Sequence, residues 1–383
     1  MEIFSINDIC EIKSGKRIPL GFDFVNYKTS HPYIRARDIK NGNINTEDLI
    51  YLEENTYNKI KKYIINENDI AITIVGASIG DIAFAQKDVD GFNLTENAVR
   101  LTRFNDKANS KYIYYLLNQK QYKELMQTIA GGAAQPKLGI YKIQKIKVCL
   151  PPLHNQEKIA SVLSAYDNLI ENNNKRVKIL EQMAENLYKE WFVRFRFPGH
   201  ETTPIENGIP KGWTIEKLGN VSNISTGKCN REDAEEDGEH PLFDRSQEIK
   251  KSSEWIKDCE AIIVPGEGTS FMPRYYWGKF NLHQRCYCVE PKDNAIGKFL
   301  FFVLKLNRKY FLSVATGATV PSLRYNNFAK MQFVMPPKKL CQKFNEIAKN
   351  NFAMVDSLKK QNENLIKQRD LLLPRLMSGK LAV

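Results

Sequence analysis

AGGAAQPKL (130–138) and ATGATVPSL (315–323) carry Ala, Gly, Ala, Pro and Leu at matching places, 185 positions apart. Sliding the chain on itself by that step, without a gap, also pairs Lys145 with Lys330, Pro151 and Pro152 with Pro336 and Pro337, and Lys158 with Lys343. Further on it pairs Leu180 with Leu365 and Leu187 with Leu372. Upstream, KYIYYLL (111–117) echoes KFLFFVL (298–304) with a two-residue shift, and SGK (14–16) echoes TGK (226–228). Self-similarity at one long step marks a duplicated structural unit.

Each copy follows one plan. Strand-like runs come first: IAITIV (70–75) and AIIVP (261–265), then NLTENAVRL (93–101) and NLHQRCYCV (281–289). A helix-like stretch follows, at 108–130 and 294–315. The Gly/Ala loop comes next, then a short apolar strand ending in Pro-Pro. Beyond it, residues 153–197 contain neither Pro nor Gly. Apolar residues there recur in steps of three and four, at Ile159, Val162/Leu163, Tyr166, Leu169/Ile170, Val177, Leu180, Met183/Ala184, Leu187 and Trp191, which predicts one long amphipathic helix. Residues 338–373 repeat the pattern with Phe344, Ile347, Met354/Val355, Leu358, Leu365 and Leu372. At 1.5 Å per residue each helix runs roughly 55 Å. Either helix alone would expose its stripe. The other copy is the simplest cover, and an antiparallel pair suits helices rooted in separate domains. The alternative packs each helix only on its own domain.

The chain has 383 residues, 42% hydrophobic and 26% charged, which suits two soluble domains. No apolar run reaches 18 residues, and the N-terminus lacks the apolar core of a signal peptide. Seven cysteines without a CxxC pair suggest free thiols in a reducing cytoplasm. Lys and Arg number 56 against 44 Asp and Glu, a net charge of +12. Such an excess suits a polyanionic partner, nucleic acid above all; general solubility is the plainer explanation. Two like heads on a stiff rod can read two short DNA half-sites around an unread spacer.

The stretches around the helices resemble a known family. LPPLHNQEKIASVLSAYDNLIENNNKRVKILEQMAENLYKEWFVRF (150–195) looks like the central conserved region of type I restriction-modification specificity (S) subunits. MPPKKL (335–340) with QRDLLLPRLMSGKL (368–381) looks like their C-terminal conserved region, and IPKGWTIEKLGNVSNISTGK (209–228) like the opening of a target recognition domain. The resemblance covers essentially the whole chain. It implies an α+β fold: two globular target recognition domains related by pseudo-twofold symmetry, separated by two long conserved helices in an antiparallel coiled coil. On that plan 1–150 is the first recognition domain and 151–197 the central helix. The second domain is 198–335, opening with a linker at 198–212, and 336–383 is the C-terminal helix. Each domain would read one half of a bipartite double-stranded DNA site. The helices would set the spacing and dock two modification subunits, with restriction subunits joining the full complex. S-adenosylmethionine for adenine-N6 methylation, and ATP and Mg for restriction, would belong to those partners, leaving this chain without a cofactor. A standalone bipartite DNA-binding regulator is the other reading.

A catalytic constellation is missing from the sequence. An amino-methyltransferase needs Asn/Asp-Pro-Pro-aromatic to hold a flipped base, whereas the Pro-Pro pairs here sit in LPPL and MPPK. VGASIGD (75–81) has spaced glycines but not the Lys of a P-loop; PGEGTS (265–270) is a turn that could cradle a phosphate. EIK at 11–13 and 248–250 is too short a signal for a nuclease. Cys286 and Cys288 alternate onto one strand face near His283, which reads as a buried face and not a zinc site. No histidine stands in a nucleophile context, so neither catalytic nor metal residues are expected.

Base edges are read by Arg, Lys, Asn and Gln, and phosphates by Lys, Arg and backbone amides. The first head offers Lys16, Arg17, Arg35, Arg37, Lys137, Tyr141 and Lys142. The second offers Lys228, Arg245, Arg274, Arg324, Tyr325, Asn326 and Asn327, with Arg231 weakened by the acidic run REDAEEDGE (231–239), read as a loop facing away from DNA. Any one of these could simply be a solvated surface group. Small residues in the Gly/Ala loops would let backbone approach a phosphate. Tyr188, Trp191, Phe192 and Phe195, near the first helix end, are the expected exposed platform for partner subunits.

Overall fold

The structure, a computed structural model, describes residues 2–131, 136–235, 237–246 and 248–381. Gly132 and Ala133, two of the repeat's matched positions, lie outside the described residues. The chain divides into two compact units, Met1–Glu171 with Asn362–Val383, and Asn172–Gln361. Each long helix therefore contributes one part to each unit.

The 185-residue step holds in the backbone. Ile140–Gln144 and Tyr325–Ala329 are short helices at that separation. Lys147–Leu150 and Gln332–Met335 are strands, and the long helices begin at Leu153 and Lys338. The Pro-Pro pairs end the strands because proline has no N–H for a ladder. The carbonyls of Pro152 and Pro337 then accept the amides of Gln156 (3.2 Å) and Cys341 (3.3 Å), starting the helices. In each unit the opening strand pairs antiparallel with the strand before the helix: Glu2 opposite Leu150, and Thr214 opposite Met335.

The central sheets also match. The first unit orders its strands Glu11–Ser14, Ala98–Thr102, Ile70–Thr73, Ile82–Phe84. The second orders Ser222–Thr226, Cys286–Pro291, Lys257–Pro265, Arg274–Leu282, then adds His240–Phe243 and Lys250–Ser252. Both faces are covered, which is why the central strands read as continuous apolar runs. Ile70 and Ile72 join Tyr112 and Ile113 on one side; Ala71 joins Ile34 and Leu94 on the other. Ile262 and Val264 face Phe299 and Val303, while Ile263 meets Phe243, Cys286 and Cys288. The helix-like stretches each break in two, as Ser110–Leu117 with Lys120–Ile129, and Gly297–Leu306 with Arg308–Val314.

The long helices span Leu153–Tyr188, followed by a π turn at Lys189–Val193, and Lys338–Met377. The second continues past 373 with Pro374 inside it, losing one backbone bond without ending. Within each unit they run antiparallel. Asp167 pairs with Arg369 at 2.7 Å and the Ile170 carbonyl accepts from Asn362 in the first unit. Glu181 meets Lys359 at 3.1 Å, and Tyr188 meets Phe344, in the second. The apolar stripe is narrower than its periodicity suggests. Leu169, Met183, Ile347 and Met354 are exposed, whereas Gln156, Asn173 and Asn362 are buried. Buried amides cost apolar contact but favour one register, as polar seam residues do in coiled coils.

Gly15 and Gly227 explain the SGK/TGK echo. A Cβ on Gly15 would stand 2.0 Å from the Thr95 carbonyl oxygen, and one on Gly227 1.7 Å from that of Leu282. Neither neighbour can yield, because both are backbone. Gly15→Ala and Gly227→Ala should each destabilise the protein by about 2 kcal/mol or more. Gly91→Ala, strained by its left-handed backbone but meeting nothing within 4 Å, should cost nearer ~1 kcal/mol. Urea unfolding ranks the three; equal midpoints would refute the close approach.

Candidate nucleic-acid interface

Four segments meet at one edge of the first unit. The amide of Gly15 donates to the Ala98 carbonyl, Lys16 to Leu94, Ile74 to Asn97, Leu138 to Ile74 and Gly76 to Pro136. A backbone lattice thus runs from Gly15–Arg17 across 94–97 and 74–76 to 136–138. Gly131 and Lys137 exchange both backbone bonds, at 3.1 and 2.7 Å, which brings the two ends of the repeated loop together. The second unit builds the same edge. Cys229 donates to Leu282, Gly266 to Arg285, Leu323 to Gly266 and Gly268 to Pro321. Thr316 and Ser322, each 185 positions beyond Gly131 and Lys137, exchange the same pair of bonds at 2.9 and 2.7 Å.

This lattice gathers much of the expected site. Lys16, Arg17, Lys137 and Tyr141 are exposed on it in the first unit. Lys228, Arg245, Arg324, Tyr325 and Asn326 are exposed on it in the second. Arg17 lies 3.5 Å from Glu96, which also receives the Tyr33 hydroxyl. Arg37 is exposed beside Asp48, reached through the Thr95–Ile34 backbone bond. Arg231 is exposed in the short turn Arg231–Asp233, at the start of the acidic run, beside the exposed Glu232 and Asp233.

Several expected residues serve the fold instead. Lys142 gives its ammonium to the Ile129 carbonyl, and Asn327 gives its amide to the Val314 carbonyl. These positions are equivalent, so both side chains cap the end of the preceding helix and are withdrawn from the interface. Arg35 is largely covered and bound to Asp38 by two side-chain bonds at 2.9 Å. Arg274 lies under the edge, its Nη2 on the carbonyls of Asp244 (2.6 Å) and Ser246 (2.8 Å). The aromatic platform also fails as an exposed surface. Tyr188, Trp191 and Phe192 are buried with Phe299, Phe302 and Phe344 in the second unit's core, and Phe195 is half-buried edge-on to Trp213. Aromatic side chains this large gain more by completing that core than by facing water.

In both glycine-rich turns several amides are already taken by the fold. In VGASIGD the amides of Gly76, Ile79, Gly80 and Asp81 bond to Pro136, Gly76, Thr73 and Ser78. In PGEGTS the amides of Gly266 and Gly268 bond to Arg285 and Pro321. Among the described residues no group of three His, Cys, Asp or Glu is placed to hold a metal, and no helix is long and apolar enough to cross a membrane. All seven cysteines are unpaired.

A model of the type I restriction modification DNA specificity domain matches residues 1–182 and again 210–368, one edge in each match. The chain belongs to the type I restriction-modification DNA specificity family. The type I restriction enzyme MjaIX specificity subunit of Methanocaldococcus jannaschii is 26% identical, over 92% of this chain and 87% of that one. The EcoDI specificity subunit of Escherichia coli is 29% identical, over 45% of this chain and 39% of that one. The crystal structure of a type I restriction-modification S subunit from M. genitalium has a TM-score of 0.63 at 18% identity, covering 98% of this chain and 95% of that one, and shares its fold.

Within this specificity fold, the sequence reading missed Glu96 and Asn97 and their counterparts Gln284 and Arg285. The signal lies in the pair NLTENAVRL and NLHQRCYCV, where TEN and HQR are the polar turns between apolar strand segments. It also missed Asp244, which anchors the second edge. Burial would raise this carboxyl. The Ser246 hydroxyl and amide and the Lys250 ammonium (3.0 Å) more than offset that and bring it down to about 2. A lowered folded-state value stabilises above the unfolded value, and the gain disappears as pH falls through the folded one. Stability should therefore drop between about pH 4 and pH 2. Asp244→Asn should be less stable than the parent at pH 7 and close to it at pH 2. A stability gap that is the same at both values would remove Asp244 from this role.

Proposed function

We propose that this chain is the recognition subunit of a type I restriction-modification complex, and that each unit reads one half of a bipartite DNA site. The observation that carries this is the edge built twice on one backbone with different side chains. A shared frame gives both heads the same way of approaching duplex DNA. The differing side chains at 96–97 and 284–285 give them different bases to read. The +12 charge supplies the sequence-independent attraction to phosphate. The chain itself carries out no chemistry and holds no cofactor. Two partner modification subunits supply S-adenosylmethionine-dependent methylation of adenine N6, and restriction subunits supply ATP- and Mg-dependent cleavage.

The long helices set the half-site spacing and dock the modification subunits. With Tyr188, Trp191 and Phe192 buried, docking falls to apolar residues that the helices leave outside: Leu169, Ile179 and Met183 on the first, Met354 and Leu371 on the second. Exposed apolar groups on otherwise polar helix faces are what a partner would cover.

Co-expression with a modification subunit, followed by methylome sequencing, tests the assignment. The expected result is N6-methyladenine in both halves of a bipartite motif that vanishes when this chain is deleted. Methylation unchanged by deletion would favour a standalone DNA-binding regulator. In binding assays, Lys16→Ala, Lys137→Ala and Lys228→Ala should each flatten the plot of log affinity against log salt by about one unit of slope, for every sequence alike. An unchanged slope would place that lysine off the phosphate backbone.

A further inference from the structure

The second edge contains an assembly that the described residues of the first edge do not form. Glu267 Oε2 accepts from Arg245 Nη1 at 2.6 Å, and Oε1 accepts from Arg285 Nη1 at 2.9 Å. The carboxylate is only 15% exposed, while the two arginine side chains are 47% and 51% exposed. Among the described residues the remaining nitrogens of both guanidinium groups have no partner. In the first unit the position of Glu267 is Val75 and that of Arg285 is Asn97.

All three side chains stand on clamped backbone. Glu267 sits between Gly266 and Gly268, whose amides are bound to Arg285 and Pro321, and is itself bridged to Ser322. A Cβ on Gly266 would come within 2.7 Å of the Arg285 carbonyl oxygen, so only glycine fits beside Glu267. The Arg285 amide donates to Nδ1 of the buried His283 at 3.0 Å, and its carbonyl accepts from Gly266. The carbonyls on either side of Arg245 are held by the single Nη2 of Arg274. The Arg274 guanidinium also lies 5.4 Å from the centre of the Phe243 ring, so the clasp is packed as well as hydrogen-bonded.

We propose that Arg245 and Arg285, held apart and oriented by Glu267, are base-reading residues of the second unit, and that the half-site it reads contains at least one G·C pair. This rests on the DNA-recognition reading above. The triad presents two arginine forks with donors to spare, held apart by a carboxylate whose two oxygens are already engaged by them. Guanine offers two neighbouring acceptors, O6 and N7, in the major groove, and an arginine fork spans that pair better than any other base edge. A phosphate would meet the same two donors but also the carboxylate between them, which repels it. Rigid positioning matters for reading bases and much less for attracting phosphate, so the clamps favour base reading. The first unit, with Val75, Glu96 and Asn97 on its edge, reads a different half-site.

The test is the methylome of cells carrying the whole complex with the parent chain, Arg285→Lys, Arg245→Lys or Glu267→Gln, together with competition binding of the purified complexes. The parent should give a motif with a G·C pair in one half. The lysine variants keep the charge and lose the fork. Each should still bind DNA with an unchanged salt slope but accept other base pairs at one position of that half, losing roughly 5- to 150-fold discrimination. Glu267→Gln should relax the same half only. A half-site motif that stays intact in all three variants would overturn the proposal, as would weakening shared by all sequences. If the parent directs no methylation at all, the recognition-subunit reading fails with it; an intact parent motif with silent variants sinks the arginine assignment alone.

Discussion

The hydrogen bond from the Leu138 amide to the Ile74 carbonyl, and its counterpart from Leu323 to Gly266, fixes what each unit can present. It ties the repeated loop to the end of a central strand that is buried on both faces. Once that tie forms, the paired residues Gly131 and Lys137 or Thr316 and Ser322, the polar turn before the next strand and the segment after Gly15 or Gly227 fall into one row. A buried strand end leaves polar backbone groups that must find partners, and the loop supplies them. Leu138 and Leu323 are themselves buried, which anchors the tie from the apolar side.

Because that row is made of main chain, its side chains can change without disturbing it. Lys142 and Asn327 show what change is tolerated under the surface. Chemically different, they complete the same helix-end bond, on Ile129 in one unit and Val314 in the other. On the surface the constraint relaxes further, and Glu96 and Asn97 stand where the second unit has Gln284 and Arg285. Fixed points are few: glycine at 15 and 227, where backbone blocks any side chain, and leucine at 138 and 323.

Much of this is legible in the order of the residues alone. The ungapped step predicts two units of one plan, with strands at 147–150 and 332–335 feeding long helices. Those readings rest on proline, glycine and apolar spacing, which act locally. What the sequence hides depends on distant partners. Nothing in YKIQ says that Lys142 reaches back to Ile129, or in SFMPR that Arg274 lies under residues 244–246. The aromatic cluster YKEWF misleads for the same reason. Its apolar character is plain, but whether it faces a partner or its own core depends on Phe299, Phe302 and Phe344, more than 100 residues away.

The two helices face the opposite demand from the heads. On the proposed function, a reading edge must be free to diverge, whereas a spacer must not slip. The seam accordingly gives up apolar contact for groups with directional bonds. Asn362 binds the Ile170 carbonyl, and Asp167 binds both Arg369 and the Tyr115 hydroxyl from the neighbouring head. An all-apolar stripe would bury Leu169 and Met183 and hold more tightly, yet a shift by one turn would cost it little. The polar partners make that shift expensive, since it would leave the buried Asn362 amide and the half-buried Asp167 and Arg369 unmatched. On the proposed reading, in which each unit takes one half-site, register is part of specificity.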